Sequence, residues 1–369
     1  MLVAMFDRRR PLAATAVLIA TAALVAAGCG SSDSGDPGGD AALTVTATTT
    51  QAADLVRAVG GDRVEVNQLL EPNSDPHAYE PRPSDVASIA DSEVVMRSGG
   101  DLDEWLGEVV ENAGGDPTII DLSESVQLRE GGHDHGDEEE HAGEDEHGHE
   151  KEKHAGEDEH GHEEEHADED EHAATDDHGH DHDGEDPHWW QDPRNAIAAV
   201  GAIEAALIEA DPDGRSEYEA NAAAYVDRLR TLDREVAACI DAIPAAQRKL
   251  VTTHDALGYY ADRYGIDVVG ALIPSLSTAA QPSARDTRDL VEQIRAQDVQ
   301  AIFPESSLNP KLEQAVARET GATVGDALWA DTLGPEGSGA ATYVESIEAN
   351  TEAIAAGLSG GDVTCDFGA

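Results

Sequence analysis

Short apolar runs rich in β-branched residues alternate along this chain with segments whose apolar positions recur every three to four residues, so strands and helices succeed one another. The runs at 43–47, 64–70, 93–96 and 118–121 have the length and composition of strands. Between them, 52–59, 84–90 and 102–112 carry helical spacing, and Gly60-Gly61 closes the first. Such alternation implies a parallel sheet covered by helices on both faces, because a parallel strand is reached only through a crossover.

From 193 to 242 the pattern changes to two long helical stretches, broken at Asp211-Pro212-Asp213-Gly214 and stopped near Pro244. The second, from 215 to 242, would run about 40 Å at 1.5 Å per residue, enough to span a domain. Alternation then resumes, with strands expected at 249–252, 268–272, 299–303 and 322–327 and helices at 256–264, 284–297, 310–319 and 341–358. The predicted class is therefore α/β: two similar lobes, each a parallel sheet flanked by helices, joined by one long backbone helix. The expected boundaries are an N-terminal lobe at 43–121 completed by 187–212, a linking helix at 213–244 and a C-terminal lobe at 245–369.

Three histidines stand in short, acid-flanked settings: Asp75-Pro76-His77-Ala78-Tyr79-Glu80-Pro81, Asp186-Pro187-His188-Trp189-Trp190-Gln191-Asp192-Pro193 and Thr252-Thr253-His254-Asp255-Ala256-Leu257-Gly258-Tyr259-Tyr260. Imidazole is the commonest nitrogen ligand for a borderline metal, and proline beside a ligand fixes φ before the metal arrives. Crevices in open α/β sheets lie beyond the carboxyl ends of strands, and His254 directly follows one. His77 follows the second strand by a short loop, and His188 precedes the helix opening at Pro193.

These segments closely resemble the solute receptors of bacterial transition-metal ABC importers, in particular zinc receptors of the ZnuA type, over about 43–358. The resemblance implies a metal held in the cleft between lobes and handed to a membrane permease. It implies His77, His188 and His254 as ligands, with the fourth drawn from the stretch after the last strand, where Asp331 is the candidate. Glu80 is the rival oxygen, or else orients the His77 imidazole; Asp255 is expected to support His254 in the same way. Manganese receptors of the family carry a carboxylate where this chain has His254, and three nitrogens with one oxygen suit tetrahedral Zn²⁺, so zinc is the expected cargo and manganese the alternative.

The N-terminus resembles a lipoprotein signal: Arg8-Arg9-Arg10, an apolar stretch, then Ala26-Ala27-Gly28-Cys29. Residues 1–28 are expected to be removed, Cys29 lipidated and 29–42 left as a tether at the extracytoplasmic face of the membrane. Cys239 and Cys365 remain, and export favours a disulfide between them. The net charge is −54, of which the stretch from Glu130 to Asp186, with 27 acidic residues and two lysines, supplies −25. An acidic surface of this size argues against nucleic acid as a partner. A monomer is expected.

Residues 122–186 are expected to form a loop rich in histidine and acid, without a fold of its own in the absence of metal. Within it His133, His135, His147, His149, His160, His162, His178, His180 and His182 are candidate metal collectors, many of them in His-x-His pairs. Two other classes use the same residues: a secreted zinc hydrolase and a histidine-rich zinc buffer. The hydrolase reading finds its two motifs only out of context: the His-Glu-x-x-His run His162 to His166 lies inside the low-complexity tract, and the Gly-x-Ser-x-Gly run Gly357 to Gly361 ends the last expected helix instead of joining a strand to a helix, so no enzyme is expected.

Overall fold

The structure, a computed structural model, describes residues 42–131 and 184–368. Its first sheet is built from β1 (Leu43–Ala47), α1 (Thr50–Gly60), β2 (Val64–Gln68), α2 (Pro83–Ala90), β3 (Val94–Arg97), α3 (Trp105–Ala113) and β4 (Thr118–Asp121). The strands are parallel in the order β2-β1-β3-β4. Central β1 is buried almost throughout, as expected of a strand covered on both faces. Thr49 starts α1 by accepting the Ala52 N–H on its side chain, and Gly61, at φ 56°, ends it where a Cβ would be strained. The helix lays Leu55, Val56 and Val59 into the core.

Next come a two-residue ribbon, β5 (Arg129–Glu130) paired antiparallel with β6 (Glu185–Asp186), and the helices α4 (Pro193–Ala210) and α5 (Arg215–Asp241). The second series follows as β7 (Lys249–His254), α6 (Gly258–Tyr264), β8 (Asp267–Ile273), α7 (Ala284–Gln297), β9 (Ala301–Ile302), α8 (Lys311–Thr320), β10 (Thr323–Val324) and α9 (Tyr343–Ser359). Here β8 lies parallel to β7, a bridge from Thr252 to Phe303 joins β7 to β9, and β9 is parallel to β10. The resulting order, β8-β7-β9-β10, repeats that of the first sheet.

Differences from the expected elements have local causes. The second strand stops at Gln68 rather than 70, although Leu69 and Leu70 still donate their N–H groups to Ala47 and Thr48 at 3.0 and 3.3 Å. The third helix starts at Trp105 because Asp103 is drawn into the preceding turn, accepting from Ser98 N, Gly99 N and Thr48 Oγ1. Strands β9 and β10 are only two residues each, since Pro304 offers no N–H and the ladder continues as a single bridge from Glu305 to Leu328. The ribbon was not expected at all: two polar residues per strand carry no periodicity.

One large apolar cluster runs from Leu43 through Trp189, Leu229 and Leu232 to Leu358. Two smaller clusters lie under single sheets, around Ile89 and Val95 in the first and Val251 and Ile302 in the second. Helix α5 thus contributes to a core common to both series, and truncating fully buried Leu232 to alanine would cost roughly 2–5 kcal/mol. A disulfide joins Cys239, near the end of α5, to Cys365 in the tail, with a Cα separation of 5.2 Å. Among the described residues no helix is long and apolar enough to cross a membrane. The signal segment, Cys29 and the nine tract histidines named above lie outside the described residues.

Candidate metal centre

His77 sits in a short 3-10 turn, Pro76–Ala78, opened by Asp75, whose Oδ1 accepts the His77 N–H at 2.9 Å. The other Asp75 oxygen accepts from Thr278 Oγ1 at 2.7 Å, which ties this turn to the second series. His188 repeats the device: Asp186 Oδ1 accepts both its backbone N–H, at 3.0 Å, and its ring Nδ1, at 2.8 Å. His254 is the last residue of β7, and Glu305, three residues past β9, meets its ring Nδ1 and its backbone N–H. Asp331 lies on the segment between β10 and α9. Ala330 O there accepts from Trp190 Nε1 at 2.9 Å and Gln191 Nε2 at 2.6 Å, and the Leu333 N–H donates to Thr50 Oγ1 at 2.8 Å.

These supports bring the four side chains together. Asp331 Oδ2 lies 3.3 Å from His77 Nε2 and 3.2 Å from His254 Nε2, while its Oδ1 lies 3.3 Å from His188 Nε2. One ligand atom from each residue falls within 4.8 Å of the others. His188 and His254 are fully buried and Asp331 nearly so.

Tautomers follow from the partners. Carboxylates face Nδ1 of His188 and of His254, so in the neutral rings the hydrogen sits on Nδ1 and the Nε2 lone pair points inward. The two Nε2 atoms are only 3.3 Å apart, an arrangement two lone pairs do not favour without a cation between or beside them. Both Asp331 oxygens and His77 Nε2 are buried without a hydrogen-bond partner. A buried carboxylate left so is costly, and a divalent ion would satisfy all these atoms at once.

Without metal the group holds its positive charge as protons. Burial pulls the His188 imidazole down, but its hydrogen bond to Asp186 and the adjacent Asp331 carboxylate outweigh this and push it up to about 9. Burial acts likewise on His254, where Asp331 and Glu305 raise it well above the usual range. Burial opposes ionisation of Asp331, yet His254 and His188 hold its carboxyl well below the usual carboxylate range. A metal entering here displaces protons.

Of the residues singled out in the sequence, the structure gathers His77, His188, His254 and Asp331. Glu80 is exposed and is not part of the cluster, because the turn after Ala78 carries it outward. Glu305, not Asp255, occupies Nδ1 of His254. Asp186 and Glu305 are thus the imidazole partners that sequence reasoning passed over. The Asp-Pro-His repeat at 75–77 and 186–188 held a signal for Asp186; Glu305, 51 positions from His254, had none.

The family described as zinc-uptake complex component A, periplasmic (ZnuA), matches residues 45–357. The manganese-binding lipoprotein MntA of Bacillus subtilis is 31% identical over 350 residues, covering 93% of this chain and 97% of the relative. MntA of Halalkalibacterium halodurans is 28% identical over 342 residues, with the same shares. Among solved structures, the periplasmic zinc-binding protein TroA of Treponema pallidum superposes with a TM-score of 0.67 at 25% identity, covering 86% of this chain and 99% of that one.

Proposed function

Because this chain belongs to the ZnuA family of metal receptors, which bind the substrate of an ABC importer and catalyse no reaction, we propose that it captures Zn²⁺ through His77, His188, His254 and Asp331. It then delivers the ion to the membrane permease. The observation that carries the choice of zinc is the donor set: three imidazole nitrogens and one carboxylate, buried and within 4.8 Å of one another. Nitrogen-rich tetrahedral sites suit Zn²⁺, with bonds of roughly 2.0–2.2 Å. A second reading, manganese, is favoured by the names of the two MntA relatives. It also draws on Asp331, whose two oxygens both face the imidazoles and could raise the coordination towards what Mn²⁺ takes.

The same proposal places the protein outside the cell membrane, anchored by lipid on Cys29 and acting as a monomer; the lipoprotein names of the relatives support the anchor. The lobe boundaries given above, with the binding residues drawn from both sides of α5, form part of this reading. The test is competition: purified metal-free protein titrated with Zn²⁺ and with Mn²⁺ against a chelator of known affinity. Tight one-to-one Zn²⁺ binding, lost in His254→Ala, is expected. Tighter capture of Mn²⁺ than of Zn²⁺ would transfer the function to the second reading.

A further inference from the structure

We propose that Arg129 is a positioning residue for metal capture, acting on His188 through Asp186. This rests on the reading of His188 as a ligand. Asp186 is almost fully buried and divides its carboxylate: Oδ1 takes both N–H groups of His188, and Oδ2 takes Arg129 Nη1 at 3.1 Å. Arg129 is itself held on several sides. Its backbone N–H donates to Tyr259 Oη at 2.8 Å, its guanidinium stands 5.4 Å from the centre of the Tyr259 ring, and its Nε pairs with Asp262 at 2.9 Å. Tyr259 Oη in turn donates to the Asp186 carbonyl at 2.9 Å.

Two features mark this as a built arrangement. Arg129 comes from the ribbon strand β5 and Asp186 from its partner β6, whereas Tyr259 and Asp262 belong to α6, five and eight residues past His254. One guanidinium therefore links the aspartate behind His188 to the helix that follows His254. Gly258 leaves the space: a Cβ there would stand 1.7 Å from Arg129 Nη1 and 3.2 Å from Asp186 Oδ2. The charge matters as well as the shape. A guanidinium on Oδ2 fixes the orientation of the Asp186 carboxylate, so that Oδ1 faces the imidazole Nδ1–H and the Nε2 lone pair stays aimed at the metal.

The test is Zn²⁺ affinity of the full-length chain by competition with a chelator strong enough to strip weak sites. Arg129→Gln is expected to weaken binding about tenfold, the lower end of the range for partners behind a ligand, and Arg129→Lys to recover most of it. Gly258→Ala, which displaces the guanidinium, should match Arg129→Gln, and Asp262→Asn, which removes only the exposed ion pair, should match the parent. In an Asp186→Asn background Arg129→Gln should add nothing. Circular dichroism of the metal-free variants should keep the parental spectrum, which separates positioning from a general loss of structure. The inference is overturned if Arg129→Gln binds within twofold of the parent while His188→Ala loses tight binding, or if the Arg129 and Asp186 effects multiply. Parental affinity in His188→Ala would instead remove the ligand reading, and this inference with it.

Discussion

Metal binding by this protein should be driven by pH well above the range where free imidazole titrates. The perturbation is a change from pH 7 to pH 9. In the metal-free site His188 is pushed up to about 9, and His254 is raised too, so both rings carry protons at neutral pH. Zn²⁺ needs neutral Nε2, and each proton it displaces makes apparent affinity rise with pH up to the pKa of that ring. For His188 alone, two pH units below its pKa correspond to about 2.7 kcal/mol, or roughly a hundredfold in apparent affinity at pH 7. The slope of log affinity against pH should lie between one and two from pH 6 to 8, because two rings are raised, and should lessen as pH passes 9, where His188 loses its proton. Chelator competition measures that slope directly, and calorimetry in two buffers of different ionisation heat counts the released protons at pH 7. Affinity that is flat from pH 7 to 9, with no proton released at pH 7, would refute the argument and return both imidazoles to the ordinary range near 6.5.

Stability of the metal-free protein should run the other way. The folded-state pKa of His188 is above its unfolded value near 6.5, so its contribution, about 3 kcal/mol counted once for the ring and its carboxylates, is full below pH 6.5 and lost as pH rises through about 9. The metal-free melting temperature should fall between pH 6.5 and 9.5, and Asp331→Asn should flatten that fall; an unchanged slope in the variant would place its cause elsewhere. Glu305→Gln should weaken Zn²⁺ binding by about ten- to a hundredfold while the described secondary structure is kept, a result read by chelator competition and circular dichroism. Cys239→Ser releases a crosslink between residues 126 apart in sequence, worth at most about 5 kcal/mol in the chain-entropy estimate, and should lower the denaturation midpoint under oxidising conditions but not in reductant. Deleting residues 132–183 joins Gly131 to Gly184, whose backbones already meet at 2.9 Å, and leaves a ribbon closed by a Gly-Gly turn. The deleted protein should keep one tight Zn²⁺ site, and loss of that site would make the tract the principal binder.

The repeat of strand–helix alternation in two lobes was legible because each β-branched run had to be followed by a crossover helix, whereas the residue at which a helix starts is set by its cap. Ser283 and Thr342 illustrate this: each opens a helix, α7 and α9, through a reciprocal hydrogen-bond pair with the acidic residue three positions on. Two of the three histidines, His77 and His188, were legible from local chemistry, since Asp75 and Asp186 sit two residues before them and accept their backbone N–H groups in the same way. Local chemistry of that sort leaves a local pattern.

What sequence reasoning missed was set by contacts that close only in three dimensions. Glu305 follows a strand of two residues and meets His254 only because β9 lies beside β7, and Arg129 meets Asp186 only because a ribbon of two polar residues per strand brings 129 against 186. Neither position has periodicity, capping or turn chemistry to announce it. Both are nevertheless charged groups buried or half-buried against the imidazoles or their partners, and there the low local dielectric gives an unpaired charge its greatest cost and a paired one its strongest orienting effect. The three histidines could therefore be singled out from the chain in order, whereas Glu305 and Arg129 become visible only once the two sheets are placed side by side. A search for metal receptors by ligand motif alone would recover His77, His188 and His254 in such chains and remain blind to the residues behind them, Asp186 excepted where it shares the motif.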